Sequence, residues 1–152
     1  MVEASSLYQI EARVSAALRD RTPRQHIHAM FAPQPRRGWK AGVIPSGSRV
    51  AAALVLLYPI DQQVHIVLTR RASTLGQHAG QISLPGGAVD GEETIEAAAL
   101  REAREEIGLS TSHLRTLGVL SALYIPVSNF TLHPIVSILD QRPQLKAATN
   151  EV

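Results

Sequence analysis

The chain has 152 residues, 45% of them hydrophobic, which is enough to bury the core of one domain. Its formal net charge is only +2 and aromatic residues make up 4%, so the dispersed basic residues of the N-terminal half do not favour a nucleic-acid surface. The chain has no cysteine, no apolar run of about eighteen residues and no basic and apolar segments typical of a signal peptide, so we expect a cytoplasmic protein without a membrane span.

The N-terminal half is predicted to contain one helix, one irregular connection and two strands. Apolar residues recur at helical spacing over residues 5–20, which predicts an amphipathic helix. Residues 22–48 are rich in proline and glycine and have no sustained period, so they are interpreted as a connecting segment. The apolar run at residues 50–58, ended by Pro59, and the run at residues 64–69 predict two buried strands.

A glycine turn at Gly87 precedes a predicted helix whose last turns carry Arg101, Glu102, Glu105 and Glu106. The three glutamates lie three or four residues apart at most, so they share one helix face within about one turn. Like charges this close repel each other, and a divalent cation that neutralises them explains their placement. Ligands that are all oxygen atoms favour Mg²⁺ or Mn²⁺. The alternative is a solvated acidic helix face that binds no ion.

The same helix has a side that can be buried and a defined end. Leu100 and Ile107 belong to an apolar stripe roughly opposite the carboxylates, and Gly108 is suited to a left-handed C-cap. Two further strands are predicted over residues 116–124 and 130–139. This order of elements predicts an α/β sandwich built on a mixed sheet.

The spacing of these residues matches a known signature. Gly87 is followed after five residues by Glu93, and after seven more by Arg101–Leu109, REAREEIGL. This order resembles the Nudix box, GX5EX7REUXEEXGU, where U is a bulky apolar residue, and only Ala103 departs from it. The box therefore covers residues 87–109, and the chain is identified as a member of the Nudix hydrolase family.

The resemblance implies the fold of the family, an α/β/α sandwich with a mixed sheet, in a single Nudix domain over residues 1–152. The catalytic core is expected over residues 50–140. Members of the family normally carry a further long helix, which would begin here at residues 150–152, where the sequence ends. The C-terminal helix is therefore expected to be missing or truncated.

The chemistry of a diphosphate assigns roles to the carboxylates. Metal ions must neutralise the phosphate oxygens and activate a water, and Glu102 and Glu106 are the first choice as their direct ligands. Glu105 is either a ligand of a second ion or the group that takes the proton of the water. The resemblance adds the backbone carbonyl of Gly86 as a further ligand, and we expect Gly87 to lie against the substrate.

The sequence before the box, residues 67–87, resembles the coenzyme A pyrophosphatase branch of the family. In that branch an apolar strand is followed by spaced arginine, small and glycine positions and then by Phe-Pro-Gly-Gly. Gly76 stands where a second arginine is expected, and Leu84 stands where phenylalanine is expected. The resemblance covers residues 48–140, and the positions that fit the branch pattern are Arg71, Ala72, Gly80, Pro85, Gly86 and Gly87.

Charged side chains around the carboxylates are given roles by this resemblance. It implies that Arg101 pairs with Glu93 and orients the carboxylate cluster, whereas the alternative is an exposed arginine. Arg70 and Arg71 follow a strand beside the site and suit bidentate contacts with phosphates, including the 3′-phosphate of coenzyme A; a salt bridge to the acidic block is the alternative. His78 is a candidate substrate contact, or else a neutral surface residue.

The function implied is metal-dependent hydrolysis of coenzyme A or a derivative to 4′-phosphopantetheine and adenosine 3′,5′-bisphosphate. One alternative is hydrolysis of another nucleoside diphosphate derivative, and another is a catalytically silent module that binds nucleotide. The partner in each case is a small molecule, and a homodimer stays open. The remaining histidines show no ligand spacing, so a zinc site built on histidine is not expected; they are His26, His28, His65, His113 and His133.

Overall fold

The computed structural model describes most of the chain: residues 5–20, 27, 29–30, 40, 42–72, 80–148 and 152. Most of the predicted connecting segment, residues 22–48, lies outside these ranges. The middle of the segment before the box, residues 73–79, also lies outside them, as do residues 150 and 151, where the further helix was expected to begin.

The predicted helices and strands are present in the described residues, and there are two further short strands, one just before the glycine pair and one that contains it. None of the helices in the described ranges is long and apolar enough to cross a membrane. The elements are α1 (Ser5–Arg19), β1 (Arg49–Ile60), β2 (Gln63–Ile66), β3 (Thr69–Arg70), β4 (Ile82–Ser83), β5 (Gly86–Ala88), α2 (Ile95–Ile107), β6 (Arg115–Val119), β7 (Leu123–Ile125) and β8 (Phe130–Ile138).

β1 is the central strand of a six-stranded mixed sheet. It runs parallel to β8 on one edge and antiparallel to β2 and β5 on the other. β6 and β7 pair antiparallel with the outer edge of β8. A strand enclosed by neighbours on both edges and by helices on both faces has little contact with water, which explains the continuous apolar run of β1. β3 and β4 form a separate two-stranded sheet.

The two helices pack on opposite faces of this sheet. Leu54 and Leu56 belong to the cluster that contains the apolar side of α2. Val55 and Leu57, which alternate with them along β1, belong to the cluster that contains α1. Burial of each such leucine contributes about 2 kcal/mol relative to exposure. The predicted α/β/α sandwich with a mixed sheet is therefore confirmed.

The first half of the sheet differs from the prediction at two strand ends. β1 continues through Pro59, which was predicted to end it. Since β8 pairs with β1 only as far as Leu57, Pro59 has a single neighbouring strand and its missing N–H is tolerated. The strand predicted over residues 64–69 is divided into β2 and β3, because β2 pairs with β1 whereas β3 pairs with β4 in a separate sheet.

The strand predicted over residues 116–124 is also divided. β6 pairs with β8 as far as Ile135, and pairing resumes in β7 opposite Leu132. Residues 120–122 therefore lie opposite only two residues of β8, and this mismatch interrupts the pairing in the way a bulge does.

Candidate active site

The glycine pair Gly86–Gly87 forms strand β5, where the sequence indicated only a turn. A Cβ at Gly86 would clash with the carbonyl oxygen of Ala52 and lie 2.6 Å from the Cα of Ala53. A Cβ at Gly87 would lie 2.5 Å from the Cδ of Glu102. Glycine is therefore required twice for close approach, once to the central strand and once to a carboxylate of α2.

Helix α2 is fixed at both ends. The hydroxyl of Thr94 accepts the N–H of Ala97 at 3.1 Å, which caps the N-terminus. At the other end Gly108 adopts the left-handed conformation with φ 62°, as predicted. Beyond it, the N–H groups of Lys146 and Ala148 donate to the carbonyls of Ile107 and Glu106 at 2.9 and 2.8 Å. Carbonyls that a helix end would leave unpaired are thus satisfied.

Arg101 is the centre of an ion-pair network on α2. Its Nη2 donates to Glu93 Oε1 at 2.8 Å and its Nε to Glu93 Oε2 at 3.2 Å, so the pair is bidentate. Its Nη1 donates to Glu102 Oε1 at 2.9 Å and to Glu105 Oε2 at 3.2 Å. Nη2 also donates to the carbonyl of Ala88 at 3.0 Å. Arg101 therefore links the start of the helix, the carboxylates and strand β5.

The charges of this network shift the pKa values of its members in opposite directions. The guanidinium of Arg101, together with the backbone N–H of Asp90, holds the pKa of Glu93 below its ordinary value. The hydrogen bonds to Glu93 and then to Glu102 raise the pKa of Arg101 despite its partial burial. Both groups are thus charged at neutral pH, which keeps the network intact.

The three glutamates occupy different depths beside β5. Glu106 is buried, and its Oε2 accepts the N–H of Gly86 at 3.1 Å. The Glu102 side chain is 18% exposed and lies against Gly87. The Glu105 side chain is 54% exposed, so it is the one most open to solvent. The carboxylates of Glu102 and Glu106 therefore lie against the glycine pair, while Glu105 lies at the solvent-exposed edge of the site.

Within the described ranges, no group of three acidic or histidine side chains is positioned to hold a metal ion. Glu102 and Glu105 are hydrogen-bonded to Arg101, whereas Glu106 is hydrogen-bonded to the backbone of Gly86. The donor set nevertheless suits a hard cation, since every side-chain donor is a carboxylate oxygen. Glu102 and Glu106 converge on the backbone of β5, where Gly86 was predicted to add its carbonyl.

The structure places Arg70 and Arg71 differently. Arg70 is exposed on β3, opposite Ile82 of β4. Arg71 is partly buried, and its backbone forms hydrogen bonds of 3.0 Å with Gly80 and Gln81. The Nε of Arg71 is buried and has no hydrogen-bond partner among the residues that the structure describes. His78 lies outside the described residues.

Two partners of Arg101 were not identified from the sequence. The side chain of Asp90 lies 3.6 Å from Nη2, and its backbone N–H donates to Glu93 Oε1 at 2.8 Å. The Asp90-Gly91 pair is a turn signal, which was available in the sequence. The carbonyl of Ala88 carries no side-chain signal, so only the structure could locate this contact.

Comparison with known proteins gives a consistent family. The family model of the NUDIX domain matches residues 47–149. The uncharacterized Nudix hydrolase NudL of Klebsiella pneumoniae strain 342 is 37% identical over 126 residues, which cover 81% of this chain and 60% of that protein. The protein of the same name from Klebsiella aerogenes is 41% identical over 98 residues, covering 62% of this chain and 78% of that protein. The chain thus spans about 60% of the length of the K. pneumoniae protein.

Solved structures show the same architecture. RenU, a Nudix hydrolase from M. smegmatis, has a TM-score of 0.57 and 27% identity, and the match covers 66% of this chain and 65% of that one. A C. elegans Ap4A hydrolase binary complex has a TM-score of 0.55 and 18% identity, covering 68% of this chain and 75% of that one. At 18% identity the second similarity indicates a shared fold only.

Proposed function

The chain belongs to the Nudix hydrolase family, whose members act on diphosphate bonds, and on this premise we propose that it hydrolyses coenzyme A or a derivative. The products would be 4′-phosphopantetheine and adenosine 3′,5′-bisphosphate. One observation supports the hydrolysis of a diphosphate bond: the carboxylates of Glu102 and Glu106 lie against the backbone of Gly86 and Gly87. We propose a cytoplasmic location.

Nudix hydrolases generally require divalent metal ions, and we propose Mg²⁺ or Mn²⁺ for this chain. Glu102 and Glu106 would hold the ion together with the carbonyl of Gly86, and Glu105 is available for a second ion. When bound, such an ion neutralises phosphate oxygens and lowers the pKa of a bound water. The hardness of carboxylate and carbonyl oxygens supports Mg²⁺ or Mn²⁺ over metals that prefer sulfur.

The residues of the chain contribute positioning and proton transfer. Arg101 fixes the direction of Glu102 and Glu105 through charged hydrogen bonds of 2.9 and 3.2 Å, and Glu93 in turn fixes Arg101. Glu105 is the most exposed carboxylate of the cluster, so it can receive the proton of an attacking water. The glycine pair leaves room for the diphosphate to approach the backbone closely.

Recognition of coenzyme A is supported by Arg71. A buried donor without a partner costs about 1–3 kcal/mol, and an anionic ligand would remove that cost. Arg71 Nε is such a donor among the described residues, and its guanidinium could form a planar fork to the 3′-phosphate. Arg70 is the second candidate, because it is exposed and adjacent in sequence.

The test compares coenzyme A with 3′-dephospho-coenzyme A in the parent, Arg70→Ala and Arg71→Ala proteins. We expect the parent to prefer coenzyme A in kcat/KM, and we expect the responsible Arg→Ala change to abolish that preference while slow hydrolysis continues. Lysine at the same position should restore it only partly. Arg142→Ala is the matched control, because Arg142 is exposed and belongs to neither the signature nor the box.

The two departures from the branch pattern support a second candidate. Gly76 lacks the side chain of the usual second arginine, and Leu84 replaces the usual phenylalanine. If the parent cleaves both coenzyme A substrates equally, or cleaves a dinucleotide or nucleotide sugar better, the second candidate is correct: a hydrolase of another nucleoside diphosphate derivative. Gly76→Arg would then leave the selectivity unchanged, whereas the first proposal expects it to increase.

A further inference from the structure

His133 lies on the sheet at the level of the glycine pair. In the strand register it is the partner of Ala52 on β1, and Ala52 is in turn the partner of Gly87 on β5. Ala52 and Ile135 both pack in the cluster on the α2 side of the sheet. Residues that are paired across strands, or two apart along a strand, share a face, so His133 projects to the side of α2.

His133 occupies an opening in the cover of this face. Ile135 on one side of it is buried in the α2 cluster. Thr131 on the other side is also buried, and its hydroxyl lies 2.7 Å from the hydroxyl of Ser48. His133 between them is only partly buried. Both neighbours are thus buried, whereas His133 between them keeps part of its surface accessible to solvent.

The imidazole is available to a ligand. Among the described residues its side chain has no hydrogen bond or ion pair, and partial burial lowers its pKa. A neutral imidazole offers one nitrogen donor and one nitrogen acceptor at neutral pH. Tyr124, the register partner of Thr131, lies on the same face, and its hydroxyl donates to Asn129 Oδ1 at 3.1 Å. The opening therefore combines an imidazole that has no partner among the described residues with an aromatic ring whose hydroxyl is hydrogen-bonded.

The distance from the carboxylates indicates which part of a substrate would reach His133. Gly87 and His133 are separated by two strand spacings, which is roughly 10 Å between their Cα atoms. Glu102 lies against Gly87, so we expect the reacting diphosphate to bind near Gly87. His133, two strands away, would then contact the part of the substrate that is attached to the diphosphate.

We propose that His133 is a specificity residue whose imidazole hydrogen-bonds the nucleoside part of the substrate. The inference rests on the proposed hydrolysis of a nucleoside diphosphate derivative, but it does not require that derivative to be coenzyme A. Neutral donors and acceptors suit the hydroxyl and base nitrogen atoms of a nucleoside, which carry no charge.

The first experiment measures KM and kcat of His133→Ala and His133→Gln for the best substrate among coenzyme A, ADP-ribose and a dinucleoside polyphosphate. We expect His133→Ala to raise KM about tenfold, the effect of one lost hydrogen bond, with kcat changed less than about threefold. Gln, which also offers a donor and an acceptor, should recover part of the loss. His113→Ala, in an exposed turn, is the control and should match the parent.

The second experiment does not depend on turnover. The imidazole resonance of His133 is assigned by NMR from its absence in His133→Gln, and ADP is then titrated into the Mg²⁺-loaded parent. A shift of this resonance that saturates with ADP, together with an unshifted His113, supports the proposal. An unmoved His133 resonance, or a KM within twofold of the parent in His133→Ala, overturns it. Failure to cleave coenzyme A alone would instead contradict the proposed substrate.

Discussion

The substitution Gly87→Ala is expected to displace the carboxylate of Glu102 without destabilising the fold. The added Cβ would lie 2.5 Å from Glu102 Cδ, whereas ordinary van der Waals contact begins at 3.4 Å, so the carboxyl group must retreat by about 1 Å. The obstacle is the end of a flexible side chain, and the backbone need not move. We therefore expect a melting temperature within a few degrees of the parent.

The activity of Gly87→Ala should fall much more than its stability. A displacement of about 1 Å at a reacting centre can reduce a rate about a hundredfold, equivalent to about 2.7 kcal/mol. The assay is kcat for the preferred substrate at saturating Mg²⁺, accompanied by a thermal melt of the same sample.

Two other glycines provide matched comparisons. Gly86→Ala would place a Cβ 2.6 Å from Ala53 Cα, where the central strand itself must move, so we expect destabilisation of about 3 kcal/mol or more. Gly47→Ala meets no atom within 4 Å and should retain both activity and stability. If Gly87→Ala keeps kcat within threefold of the parent, the position of Glu102 over β5 is not needed for the reaction and the reasoning is refuted.

Three further predictions concern the same network. Glu106→Gln should lower kcat by about a hundredfold without unfolding the protein, because it removes a ligand charge and keeps the side-chain shape; an unchanged metal-dependent rate would reject Glu106 as a ligand. Chelation should abolish activity, and Mg²⁺ or Mn²⁺ should restore it, so full turnover in excess chelator would reject the metal mechanism. The folded-state pKa of Glu93 is lowered, so its contribution to stability is complete above the unfolded value of 4.5 and is lost as pH falls through the lower folded value; thermal melts across this acidic range should show a smaller pH dependence for Glu93→Gln than for the parent.

Sequence patterns correctly predicted those parts of the structure that depend on short-range periodicity. The helical spacing of the carboxylates placed Glu102 and Glu106 on one face of α2, and the structure shows both beside β5. The pairing of Arg101 with Glu93, implied by the family resemblance, is present as a bidentate ion pair. The catalytic roles of these residues remain predictions.

Long-range pairing could not be obtained in the same way. The glycine turn gave no signal that Gly86 and Gly87 would pair with the central strand, because that contact depends on residues more than thirty positions away. The opening around His133 likewise arises from the register of β8 against β1 and from the loop at Ser48. Neither feature produces a local periodicity in the sequence, so neither could be predicted from a single sequence.

The most direct test of the proposed function is the identity of the products formed from coenzyme A. The chain is incubated with coenzyme A and Mg²⁺, and the reaction is followed by mass spectrometry with a chelated sample alongside. We predict equal amounts of 4′-phosphopantetheine and adenosine 3′,5′-bisphosphate, formed only when the metal is available. Intact coenzyme A, under conditions in which the same sample cleaves another nucleoside diphosphate derivative, would contradict the proposal.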